Sequence, residues 1–197
     1  MPYSIAQAVH AELLIKKSRF IACVQPVADR AAAQQAVAQL RNQHPGAAHV
    51  CWALLAGGQS AAVDDGEPSG TAGRPMLDVL RHQDLEGVLA TVVRYFGGVK
   101  LGAGGLVGAY SDSVAQAVKQ AQKIPIIKRT VLYCRFAYAL EGFVRREVET
   151  IKANLLDVQH GSDVECAIEI SNAELPAFVE RLNNGTQGKL VWLSNKV

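Results

Sequence analysis

Val88-Leu89-Ala90-Thr91-Val92-Val93-Arg94-Tyr95-Phe96-Gly97-Gly98-Val99-Lys100-Leu101-Gly102-Ala103-Gly104-Gly105 passes from an apolar segment into a glycine-dense one. Gly87 to Phe96 is rich in β-branched and aliphatic side chains and reads as a buried strand. The glycines read as a turn. Leu106 to about Ala121 then reads as a long helix, because Val107, Tyr110, Val114 and Val118 recur at intervals of three and four. A strand that enters a glycine turn and opens a helix belongs to an α/β architecture.

Upstream, Leu13 to Ile15 and Phe20 to Val24 form two strands around Lys16-Lys17-Ser18-Arg19. Asp29 is placed to cap a helix from Arg30 to about Asn42, which His44-Pro45-Gly46 stops. Ala47 to Ala56 is a buried-strand pattern ended by Gly57-Gly58. Asp64 to Pro75 is a loop built almost wholly of turn formers, and Pro75 suits the first turn of a helix to about Gln83. Downstream, Lys123-Ile124-Pro125 marks a boundary. Strands are expected at Thr130 to Ala139, Leu155 to His160, Val164 to Ile170 and Lys189 to Leu193. Helices are expected at Gly142 to Ala153 and Ala173 to Asn183. This βαββαβ order is the ferredoxin-like pattern and closes its own core. The expectation is therefore two domains, 1–128 and 129–197.

The 197 residues, 49% hydrophobic and 19% charged, describe a globular chain and not a disordered one. The net charge of +2 is too small to argue for nucleic acid by itself. Residues 1–128 carry twelve Lys and Arg against nine Asp and Glu, and residues 129–197 carry eight against nine, so the basic excess lies in the first domain. Cys23, Cys51, Cys134 and Cys166 form no Cys-x-x-Cys pair and read as reduced core residues. No signal peptide opens the chain, and no apolar run reaches the roughly 18 to 20 residues that span a bilayer. The expected compartment is the cytoplasm, with no membrane partner.

Two loops carry the candidate chemistry. In the first, Gly97, Gly98, Gly102, Gly104 and Gly105 let a ligand approach backbone N–H groups at a helix start, with Arg94 and Lys100 as flanking charge. It matches neither the P-loop nor the dinucleotide fingerprint. The same glycines also serve a purely architectural turn. In the second, Asp64, Asp65 and Glu67 are hard oxygen ligands that weakly suggest Mg²⁺ or Ca²⁺. The spacing is not that of an EF-hand, and the better expectation is a structural or partner-binding loop with no metal and no cofactor. Arg74 would pair with a loop carboxylate, and Ser69 and Thr71 would cap the next helix. Lys17 and Arg19 offer an RNA-phosphate contact or a solvated strand end. Tyr95 offers a stacking surface or a core ring. His49 and Cys51 share one strand face and give a weak nucleophile–base pattern.

Lys17-Ser18-Arg19-Phe20-Ile21-Ala22, Asp64 to Pro75 and Val93 to Val107 together resemble the bacterial YigZ family, which shares its N-terminal domain with eukaryotic IMPACT. The resemblance is close over residues 1–128 and extends to the second domain in length and element order. It implies folds similar to domains IV and V of elongation factor G. It also implies contact with ribosomes or RNA, or with a translation-related protein, and no DNA sequence specificity. IMPACT itself acts through protein contacts that restrain a stress kinase controlling translation initiation. The family signature falls on Asp64, Asp65, Gly66, Glu67, Ser69, Gly70, Thr71, Gly73, Arg74, Arg94, Tyr95, Gly97, Gly98, Lys100, Leu101, Gly102, Gly104 and Gly105. Gly108 departs from it, because many relatives carry arginine there. The expected function is translation-associated binding through the glycine loop. A Mg-dependent nucleotide-binding protein or enzyme ranks below it, since no acid–base–nucleophile set is complete. A protein-interaction module without nucleic acid is the third reading.

Overall fold

The computed structural model describes residues 2–194. The chain divides into two compact units, the first ending at Ile126 and the second beginning at Ile127. Both combine helices with antiparallel sheets.

The first unit runs β1 (Tyr3–Ile5), β2 (Val9–Ile15), β3 (Ser18–Pro26), α1 (Arg30–Gln43), β4 (His49–Ala56), β5 (Gln59–Val63), α2 (Gly73–His82), β6 (Val88–Tyr95), α3 (Ala103–Val118) and β7 (Lys123–Pro125). Five strands form one sheet in the order β2-β3-β6-β4-β5, while β1 and β7 pair apart from it. Side chains alternate across each strand, so one sequence supplies two cores. Phe20, Ala22, Val24, Ala90 and Val92 face α2 and α3, where they meet Met76, Leu80, Tyr110 and Val114. Val50, Trp52, Leu54, Leu89 and Val93 face α1, where they meet Ala33 and Val37. Phe20 and Tyr110 meet edge to face at 5.4 Å, and both are fully buried. Burial of such a side chain is worth about 1.5–3 kcal/mol.

The second unit runs β8 (Arg129–Phe136), a 3-10 turn at Tyr138–Leu140, α4 (Glu141–Thr150), β9 (Asn154–His160), β10 (Val164–Ser171), α5 (Leu175–Gly185) and β11 (Val191–Leu193). The strand order is β11-β8-β10-β9, with every neighbouring pair antiparallel. Its core joins Cys134, Phe136, Ile168 and Ile170 of the sheet to Val144, Val148, Phe178 and Leu182 of the helices. Among the described residues no helix is long and apolar enough to cross a membrane.

The departures from the sequence expectation have physical causes. β1 and β7 are too short to show a period, and β5 is an edge strand of small and polar residues. α3 begins at Ala103 and not Leu106, so Gly104 and Gly105 are helical despite their poor propensity. Packing of the helix face on the sheet outweighs that cost. α2 begins at Gly73, ahead of Pro75, because a distant carboxylate receives its first N–H groups. The strand expected to Ala139 stops at Phe136, and the last strand begins at Val191. The final helix is displaced to Leu175–Gly185 from the expected Ala173 to Asn183. Cys23 is half-buried, not a core residue, whereas Cys51, Cys134 and Cys166 are buried.

Gly108 lies inside α3 with open space where a Cβ would stand. Gly108→Ala is expected to stabilise the first unit by about 1 kcal/mol, the helix-propensity difference, read as a rightward shift in urea unfolding.

Candidate functional site

Antiparallel register brings four segments to one end of the five-stranded sheet. Arg19 lies opposite Tyr95, His49 opposite Arg94, and Trp52 opposite Val63. The β2–β3 turn, the start of β4, the loop after β5 and the loop after β6 therefore converge. The turn is a two-residue one in which Lys16 and Lys17 both take positive φ, 45° and 64°. That geometry matches the twist of paired strands. Helices α2 and α3 also start at this end.

Arg94 organises the convergence from beneath. Its side chain is 6% exposed and donates through Nη1 to Glu67 Oε1 at 2.6 Å. The Tyr110 hydroxyl donates to the same oxygen at 2.7 Å. Ser18 Oγ lies 3.4 Å from Arg94 Nη2 and accepts the Gly97 N–H at 3.1 Å. The guanidinium also sits 5.4 Å from the Phe20 ring and 5.5 Å from the Phe96 ring. Its Nε is buried with no hydrogen-bond partner. One ion pair thus ties the turn, the acidic loop, the glycine loop and α3 together. Gly97 is required there, because a Cβ would stand 2.0 Å from the Lys17 carbonyl carbon.

The acidic loop is folded by its own carboxylates. Asp64 accepts the N–H groups of Gly70, Ala72 and Gly73 at 2.8, 3.1 and 2.8 Å. Burial pushes its carboxyl up, but these three N–H groups outweigh burial and hold it below its ordinary 3.8. Asp65 accepts the Val50 N–H at 2.7 Å and pairs with Arg41. The oxygens suggested for Mg²⁺ or Ca²⁺ are therefore occupied by protein donors. Asp64, not Ser69 or Thr71, caps α2, and the Thr71 hydroxyl donates to the Pro68 carbonyl. Arg74 is exposed and pairs with Asp78 on its own helix, not with a loop carboxylate.

The surface above this framework is different in character. Gly98 and Gly102 hold positive φ, and α3 starts from Gly102 with no side-chain cap. Gly104 and Gly105 are exposed in its first turn, and Gly98 and Lys100 are exposed in the loop before it. Lys16 and Lys17 are exposed at the neighbouring turn. None of these three lysines makes an ion pair among the described residues. Phe96 is 53% exposed, and Val99 in the same loop and Val107 in the first part of α3 are exposed as well. The end of the sheet thus presents free N–H groups, three lysines and an aromatic ring.

Several sequence candidates take other places. Arg94 is buried, so it supports the loop and does not serve as mobile charge. Arg19 forms a two-point pair with Glu12. Tyr95 shares its strand face with Val93, and its hydroxyl is 2.8 Å from His44 Nδ1, on the α1 side. Phe96, one residue further, is the exposed ring. The sequence signal for it was parity: Arg94 and Phe96 share a face, and Tyr95 does not. His49 and Cys51 do not pair. His49 instead meets the Asp65 carbonyl and lies 3.8 Å from Glu67, Cys51 donates to the Asp64 carbonyl and lies 3.3 Å from the Tyr110 hydroxyl, and burial pushes the Cys51 thiol up to about 12.

Residues 16–118 match the Impact N-terminal domain, and residues 134–189 match a domain of unknown function, DUF1949. The chain is 35% identical over 190 residues to the IMPACT family member YvyE of Bacillus subtilis, covering 95% of this chain and 88% of that protein. It is 35% identical over 188 residues to the IMPACT family member YigZ of Escherichia coli, covering 91% of each. A crystal structure described as that of a hypothetical protein superposes with a TM-score of 0.68 at 32% identity, over 98% of this chain and 97% of the other.

Glu67→Ala leaves Arg94 buried without a counter-charge and is expected to cost about 3–5 kcal/mol in urea unfolding. The double change Glu67→Leu, Arg94→Met is expected to cost less than the two single losses combined. Asp64 contributes stability fully above its unfolded value near 3.8, and loses it as pH falls through its lower folded value. Asp64→Asn is expected to flatten the fall in stability as pH drops below about 4, seen by acid titration of the unfolding midpoint.

Proposed function

The chain belongs to the IMPACT family, and on that premise we propose that it is a translation-associated regulatory protein that contacts ribosomal RNA through the glycine-loop end of its first unit. The observation that carries this is the convergence of Lys16, Lys17, Lys100, the exposed Phe96 and the uncapped start of the 16-residue α3 on one surface. Lysines and helix N–H groups neutralise and hydrogen-bond backbone phosphates. An exposed ring adds stacking on an unpaired base, without sequence preference. In this proposal both units present to the ribosome a shape similar to that of elongation factor G domains IV and V. The proposal places the protein in the cytoplasm and assigns it no catalytic step or cofactor.

A second reading rests on Phe96, Val99 and Val107, which are 53%, 41% and 39% exposed beside the loop. Exposed apolar side chains of this kind suit a protein partner. The Mg-nucleotide reading has less support, because Asp64, Asp65 and Glu67 already accept bonds from the protein.

Sedimentation with ribosomes at two salt concentrations separates these readings. RNA contact predicts salt-sensitive binding, and Lys17→Ala with Lys100→Ala is expected to lower the log–log salt slope by about 2. Both residues are exposed, so the double variant keeps its fold. Binding that survives nuclease and is lost in Phe96→Ser moves the protein-partner reading to the front. No association at either salt overturns the ribosome proposal.

A further inference from the structure

In the second unit, Cys134 on β8 and Cys166 on β10 are directly opposed in the antiparallel register. Opposed residues in such a ladder have Cα atoms about 4.5 or 5.5 Å apart, and both spacings lie inside the window a disulfide requires. The two sulfurs are 3.3 Å apart, in contact and unbonded. The other two cysteines belong to the first unit, and Cys51 is engaged with the Asp64 carbonyl. We infer that Cys134 and Cys166 form a peroxide-responsive thiol pair that closes reversibly into a disulfide across the two central strands of the second unit.

The two thiols are not equivalent. The hydrogen bond from Cys134 lowers the Cys166 thiol, against burial, and the Arg145 guanidinium lowers it further while its partner Glu141 raises it. The same bond, with burial, pushes Cys134 up. Both side chains lie on the helix-covered face of the sheet, where Cys166 is 5% exposed and Cys134 is 0% exposed. Cys166, the less enclosed of the two and the one whose thiol is lowered, is therefore the attacking sulfur and Cys134 the resolving one. The Cys166 thiolate attacks the terminal oxygen of a hydroperoxide, the O–O bond breaks, and the alcohol, or water, leaves with a proton. The Cys134 sulfur then attacks the sulfenic sulfur, the S–O bond breaks, and a second water leaves as the S–S bond forms. Two thiols are oxidised and one peroxide is reduced. In a reducing compartment a pair of this kind is closed only transiently, as redox-sensing pairs are.

The test treats the full chain with hydrogen peroxide, then labels thiols after denaturation and maps linked peptides by mass spectrometry. The expected result is that two of the four cysteines stop labelling, in one intramolecular Cys134–Cys166 link that dithiothreitol reverses. The linked form should melt higher, by roughly 10 °C, because the link closes a long loop. In Cys134→Ala, Cys166 should stop at the sulfenic acid and be captured by dimedone, whereas in Cys166→Ala, Cys134 should stay unmodified. Four labelling cysteines after peroxide, or a link that joins other cysteines or two chains, overturns the inference. Should either variant fail to fold, the wild-type map decides alone.

Discussion

Arg94 and Glu67 form an ion pair in a place where water does not reach, and much of the first unit is arranged around satisfying it. A buried charge without a partner is far costlier than a buried pair, so each group fixes the other. Glu67 can reach Arg94 only if the loop after β5 folds inward. Tyr110 can share the Glu67 oxygen only if the first part of α3 packs over the sheet. Ser18 can reach both Arg94 and Gly97 only if the β2–β3 turn closes against the glycine loop. The pair therefore sets the relative positions of three loops that have no regular structure of their own.

Two kinds of glycine act within that arrangement. Gly97 is an approach glycine, because backbone occupies the position a side chain would take. Gly102 is a conformational one, with φ near 75° at the entry to α3. Together they bring a helix start to the surface while the charged framework stays below. The acidic residues that seem suited to a metal work in the opposite sense. Asp64 accepts the Ala72 and Gly73 N–H groups where α2 begins, whereas α3 begins from Gly102 without a side-chain cap.

The main helices and strands were legible because they bury one face and show it as a period. Tyr110, Val114 and Val118 revealed α3, although Val107, read on the same face, is exposed and Leu106 is buried in its place, and the continuous apolar run of β6 revealed a buried strand. The glycine loop was legible as a locus, and Lys17 and Lys100 are exposed there. The partners of its residues were not legible. Arg94 read as available charge and Arg74 as the partner of a loop carboxylate, while Tyr95 stood open between a stacking surface and a core ring. Each is bonded to a group whose position depends on strand register or on helix spacing. The strands β1, β5 and β7 were missed for a simpler reason, since they are short and little of them is buried.

Local patterning in the sequence by itself determined an α/β chain, the positions of its longer elements and two loops of unusual composition. Those follow from burial and backbone preference, which act between residues near one another in the chain. Only the tertiary structure decided which charges are buried and which remain at the surface. Glu67 and Arg94 are 27 residues apart, Ser18 and Arg94 are 76 apart, and Cys134 and Cys166 are 32 apart. Each of these contacts is set by pairing register and loop closure over long separations, and no local pattern encodes them.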